Sequence, residues 1–169
     1  MASTKNAVKA LEERAAFRHF LRAVGWPDED TLIESRDEPE PDILYRHPTD
    51  GYIAFELTRL CAEDIAETIS NMNSADTPFI RTHDPTAAVV TKKFRKSYKT
   101  DYPIELFCYR TYAVTPDDLV CHSVKSVADA HEKKFRRIWV LGDKLWLYEQ
   151  GTMKRISDSA IVATSLPPE

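Results

Sequence analysis

Apolar positions along the chain alternate between helical and strand spacing. Residues 5–24 read as an amphipathic helix, with Val8, Leu11, Ala15, Leu21 and Val24 at helical spacing, Thr4 as N-cap, Gly25 as the stop and Pro27 just beyond. A short strand is expected over Thr31–Ser35, and Pro39 and Pro41 then hold an extended segment. Asp42–Arg46 and Tyr52–Thr58 are the clearest strands, and the Asp50-Gly51 step between them marks a hairpin. Tyr52, Ala54, Glu56 and Thr58 share one face of the second strand, opposite Ile53, Phe55 and Leu57.

Cys61–Met72 reads as a helix with Ile65, Ile69 and Met72 inward, followed by a turn-rich stretch over 73–84. Asp84 and Pro85 predict a helix start, and the stripe Ala87, Val90, Phe94 and Tyr98 carries that helix to about Lys99. Ile104–Tyr109 reads as a buried strand, and Thr115–His131 as a helix with Pro116 in its first turn. Arg137–Leu141 and Lys144–Tyr148 form a hairpin around Gly142-Asp143, and a loose tail is expected after residue 149. The order predicts a single mixed α/β domain over residues 1–169, with its core at about 5–149.

The length of 169 residues and the 43% hydrophobic content fit one self-sufficient core. The four glycines, Gly25, Gly51, Gly142 and Gly151, are dispersed, which excludes the clustered-glycine phosphate loops of ordinary dinucleotide and P-loop enzymes. Cys61, Cys108 and Cys121 form no CxxC pair and read as reduced thiols. His19, His47, His83, His122 and His131 lack metal-ligand spacing and are expected at the surface. With no long apolar run and no signal-peptide core, a cytoplasmic protein is expected.

Charge is unevenly placed. Residues 1–90 carry 17 acids and 9 bases, and residues 91–169 carry 10 acids and 14 bases. Eight acids lie between Asp28 and Asp42, against Arg36 alone. Bases gather at Lys92, Lys93, Arg95, Lys96 and Lys99, and again at Lys133, Lys134, Arg136 and Arg137. A metal-dependent nucleic-acid enzyme needs such a combination, with a pole for cations beside segments for phosphates, and an ordinary charge-dipolar protein shows it too.

The informative pair is Asp42, after Pro41, and Glu56 inside the next strand. In an antiparallel hairpin the two fall at one level, where facing Cβ atoms lie ~5 Å apart. Like charges there repel. Mg²⁺ removes the repulsion and prefers one or two carboxylates plus waters and phosphate oxygens. The Leu57 carbonyl would complete the set. Taken separately, Glu56 is also what an edge strand carries against aggregation, and Asp42 what caps a turn.

Pro41-Asp42 and Phe55-Glu56-Leu57-Thr58, in this order of elements, resemble the PD-(D/E)xK nuclease superfamily over about residues 5–145. The resemblance implies a restriction endonuclease-like α/β fold, a mixed central sheet flanked by helices. It also implies hydrolysis of DNA phosphodiester bonds with Mg²⁺ or Mn²⁺ on Asp42 and Glu56. The superfamily's lysine position holds Thr58 here. Some members carry that lysine on a neighbouring helix, for which Lys93 is the preferred residue because it borders the packed face. A further acid from the first helix would be Glu13 rather than Glu12, with Glu34 and Glu38 as competing choices. Lys92, Arg95, Lys96 and Lys99 are then expected on nucleic-acid phosphates, with Lys92 and Lys96 pointing away from the apolar stripe. A two-strand cutter of this size would act as a homodimer. Thr58 also motivates another class, a nuclease fold without catalysis that binds nucleic acid or a protein partner, in a phage or defence setting. A purely structural subunit is the third, weaker option.

Overall fold

The structure, a computed structural model, describes residues 4–60, 85–110 and 115–157. Helix α1 (Thr4–Val24) leads through a 3₁₀ turn (Asp30–Leu32) into strands β1 (Ile33–Ser35), β2 (Ile43–His47) and β3 (Gly51–Leu60). Helix α2 (Thr86–Arg95) precedes β4 (Ile104–Arg110), and helix α3 (Asp117–Ala130) precedes β5 (Ile138–Leu141), β6 (Leu145–Glu149) and β7 (Thr152–Ser157). The seven strands lie side by side in chain order. The β3–β4 and β4–β5 pairs are parallel, and the other pairs are antiparallel. The expected helix over 61–72, the stretch 73–84, the Asp84 cap, Cys61, His83 and the tail from 158 lie outside the described residues.

Both faces of the central strands are covered, which explains the unbroken apolar runs of β4 and β5. Odd-numbered residues of β2, β3, β4 and β5, among them Tyr45, Phe55, Phe107 and Trp139, pack with Phe17, Phe20 and Leu21 of α1. Even-numbered residues, among them Leu60, Leu106, Cys108 and Val140, pack with Val90 and Phe94 of α2 and with Val120 and Val124 of α3. Phe20 touches Phe55, Phe107 and Trp139 at ring-centroid distances of 5.8, 4.8 and 5.1 Å, so one helix residue ties three strands together.

Several boundaries differ from expectation. Val8 and Leu11 are 51% and 68% exposed, because α1 turns Phe17, Phe20 and Leu21 to the sheet instead. In α2, Thr86 rather than Ala87 is buried alongside Val90 and Phe94. That helix stops at Arg95, with Lys96 already extended, so Tyr98 and Lys99 are not helical. Helix α3 begins at Asp117, because Pro116 keeps an extended backbone as its cap. β7 adds an edge strand where a loose tail was expected, paired to β6 across a bulge at Leu145/Trp146. His47 is built in rather than free at the surface, packing 4.5 Å from Trp26 and accepting the Asp50 N–H. His131 likewise contacts Phe94 at 5.1 Å.

Asp117 fastens α3 to the β5–β6 hairpin. Its carboxylate takes the N–H groups of Asp143 (3.1 Å) and Lys144 (3.0 Å), the Trp146 indole N–H (3.0 Å) and Arg110. A Cβ on Gly142 would overlap that carboxylate, so glycine is required there. Among the described residues no helix is long and apolar enough to cross a membrane.

Candidate functional site

The β2/β3 ladder pairs Ile43 with Phe55. One more step places Asp42, just before β2, opposite Glu56. Proline at 41 favours the extended approach to the strand, and the Arg36 N–H holds the Asp42 carbonyl at 2.8 Å. Asp42 Oδ2 accepts the Leu57 N–H at 2.8 Å. In an extended strand a residue's N–H and C=O point the same way, so the Leu57 carbonyl lies on the Asp42 side. Its register partner there, Pro41, has no N–H to offer.

Glu56 has no solvent exposure, on a strand with neighbours on both sides. This corrects the edge-strand alternative. Burying an ionised carboxylate is costly unless it is paired, and α2 supplies the partners. Lys93 Nζ lies 2.6 Å and Lys96 Nζ 3.2 Å from Glu56 Oε1. Oε2, equally buried, accepts no hydrogen bond among the described residues. Asp42 is driven up to about 6 by its own burial and by the charge on Glu56, against the lowering effect of the Leu57 N–H.

From the other face, Glu13 of α1 completes the acidic side. Its carboxyl titrates above the ordinary range because burial outweighs the attraction of Lys9, 3.4 Å away, and it feels the charges of Lys93 and Glu56. The competing acids are engaged elsewhere, Glu12 with Arg59 at 3.6 Å and Glu34 with Arg36 at 3.2 Å. Glu38 instead reaches Lys96 at 2.7 Å. The fold therefore brings Asp42, Glu56, Leu57 and Lys93 together midway along β3, with Glu13 within electrostatic reach of them. Thr58, two residues beyond Glu56, is buried on the same face of β3.

Lys92, Arg95 and Lys99 are exposed. Lys96 is not, and this corrects its outward placement. It follows Lys93 by three residues, a spacing that puts both on one side of a helix. That relation was available in the sequence. Tyr98, expected only as part of the apolar stripe, also belongs to this site. Its hydroxyl donates to the Lys93 carbonyl at 3.3 Å, and its phenol titrates above its ordinary range through burial and the charges of Glu56 and Asp42. The second basic segment is largely spent internally. Arg136 Nε donates to the fully buried Glu105 at 2.7 Å, Arg137 Nε donates to Glu149 at 2.7 Å, and Lys134 donates to the Lys96 carbonyl. The Trp139 indole completes the shell of Glu105 at 2.7 Å.

Among the described residues no group of three or more His, Cys, Asp and Glu is assembled to hold a metal ion. The oxygen set of Asp42, Glu56 and the Leu57 carbonyl, with Glu56 Oε2 lacking a donor, nevertheless suits Mg²⁺ or Mn²⁺. Such ions take one or two carboxylates and fill the remainder with water and phosphate oxygens. Comparison with protein-family models, with curated proteins and with solved structures finds no match to this chain.

Proposed function

We propose that the chain is a metal-dependent nuclease hydrolysing DNA phosphodiester bonds, built on the restriction endonuclease-like plan. The observation that carries this reading is the placement of Lys93 Nζ 2.6 Å from a fully buried Glu56, with Asp42 opposite in register. Under this reading Lys93, carried on α2, does the work for which Thr58 has no ammonium.

Asp42, Glu56 and the Leu57 carbonyl would hold Mg²⁺ or Mn²⁺, which supplies charge for the scissile phosphate and acidifies a water. Lys93 has three N–H groups and directs one to Glu56 Oε1. The others are available to orient a water or a phosphate oxygen at the same carboxylate edge. Glu13 adds negative charge from α1, and Lys92, Arg95 and Lys99 would meet backbone phosphates outside the centre.

The test is cleavage of supercoiled plasmid with Mg²⁺ and with Mn²⁺ by wild type, Asp42→Ala and Lys93→Ala. Nicked or linear product from wild type alone is expected. Equal cutting by Asp42→Ala would refute the reading. Cleavage of both strands calls for two centres, and a homodimer in sedimentation is the expected arrangement.

One observation favours a second reading, a catalytically silent fold that binds nucleic acid or a protein partner. Lys93 and Lys96 already neutralise Glu56 without a metal. Under that reading DNA binding persists in chelator, metal changes nothing, and no product forms.

A further inference from the structure

Lys96 holds two carboxylates of opposite character. Glu56, on its inner side, has no solvent exposure, whereas the Glu38 side chain is 75% exposed and still sits 2.7 Å from the ammonium. The lysine itself is fixed from several directions. Its N–H closes α2 on the Lys92 carbonyl at 3.2 Å, its ammonium lies 5.3 Å from the Tyr98 ring centroid, and Lys134 donates to its carbonyl. The turn carrying Glu38 is tied to the same segment by the Lys99 N–H, which donates to the Pro39 carbonyl at 2.9 Å. An anion approaching the Asp42–Glu56 pair from solvent therefore meets Lys96 with its outward valence already taken by Glu38.

An exposed ion pair of this kind contributes little and is screened by salt. Glu38 is thus an exchangeable partner and Glu56 a permanent one. Resting on the nuclease reading above, we propose that Glu38 stands in for a nucleic-acid phosphate. On binding, Lys96 exchanges the Glu38 carboxylate for a backbone phosphate oxygen while keeping Glu56. Lys96 then positions the phosphate beside the reacting one, and Glu38 acts as an intramolecular competitor for it.

The exchange is tested by fluorescence anisotropy with a labelled DNA duplex in EDTA, across a salt series. The proteins are wild type, Glu38→Gln, Lys96→Gln, the double variant, Lys96→Arg, and Glu34→Gln as a control for loss of one nearby charge. Glu38→Gln is expected to bind about two- to fivefold tighter at low salt. Lys96→Gln should bind more weakly, with a salt slope smaller by about one. Lys96→Arg should recover most of that loss, which separates a phosphate contact from damage to the fold. In the Lys96→Gln background Glu38→Gln should gain no more than Glu34→Gln. Equal tightening with and without Lys96, or none in Glu38→Gln, overturns the exchange while leaving the nuclease reading intact if wild type still cuts. A wild type that neither binds nor cuts DNA in any metal overturns both.

Discussion

Replacing Asp42 by asparagine should stabilise the metal-free protein at neutral and alkaline pH. The Asp42 carboxyl moves from 3.8 in the unfolded chain to about 6 in the fold, through burial and the facing Glu56. At about 1.4 kcal/mol per pKa unit, the fold prefers the protonated group by about 3 kcal/mol. Because the folded state binds this proton more tightly than the unfolded chain, the contribution is fully present below pH 3.8. It is lost as the pH climbs through about 6. Asparagine is close to an isostere of the protonated form and keeps an oxygen for the Leu57 N–H. Its advantage should approach about 3 kcal/mol above pH 7 and fall below about 1 kcal/mol near pH 4. Urea denaturation in EDTA between pH 4 and 8, followed by tryptophan fluorescence, reads the difference between the two proteins. Millimolar Mg²⁺ should then stabilise wild type at pH 8 and leave the variant unchanged, since a ligand of the folded state adds stability by mass action. An asparagine variant less stable than wild type at pH 8, or an advantage indifferent to pH, would refute the reasoning.

Lys93→Met should lose about 3 kcal/mol in urea denaturation at pH 7.5, because Glu56 keeps only Lys96. Adding Glu56→Met should restore most of that loss, and a double variant as unstable as the single one would contradict it. Asp117→Ala strands four donors and should cost about 3–5 kcal/mol, with a fall in melting temperature that Asp117→Asn only partly shows. Phe20→Ala opens the core beneath Phe107 and Trp139 and should cost about 3–5 kcal/mol by the same denaturation measurement.

Much of this molecule was legible wherever one residue decides a local conformation. The Asp50-Gly51 hairpin set the β2/β3 register, and that register alone puts Asp42 opposite Glu56. Lys93 followed from its place at the edge of the α2 stripe, and Glu13 from its place on α1. Less was legible where a long-range partner decides. The phase of α1 follows from the aromatic cluster around Phe55 and Phe107, contacts that helical spacing alone does not rank. The inward turn of Lys96 is claimed by the buried Glu56 forty residues earlier, although its three-residue spacing from Lys93 pointed the same way. β7 escaped notice because its side chains are mostly exposed and carry no apolar alternation. Arg136 and Arg137 looked free because the buried Glu105 that claims them lies about thirty residues earlier.

The chain-order sheet has a kinetic consequence. Its antiparallel pairs join strands adjacent in sequence, and each can form by local search, whereas the parallel β3–β4 pair joins Ala54 to Ile104, fifty residues apart. Long loop closure and parallel pairing are slow steps, so the two ends of the sheet should gain amide protection before its centre. The carboxylates belong to the early hairpin, while Lys93 and Lys96 arrive with the late crossover. During folding Glu56 is therefore in place before its counter-charges, and the crossover that docks α2 is the step that makes its burial tolerable. Pulse-labelled hydrogen exchange during refolding would show this order as protection of residues 43–55 ahead of residues 104–110.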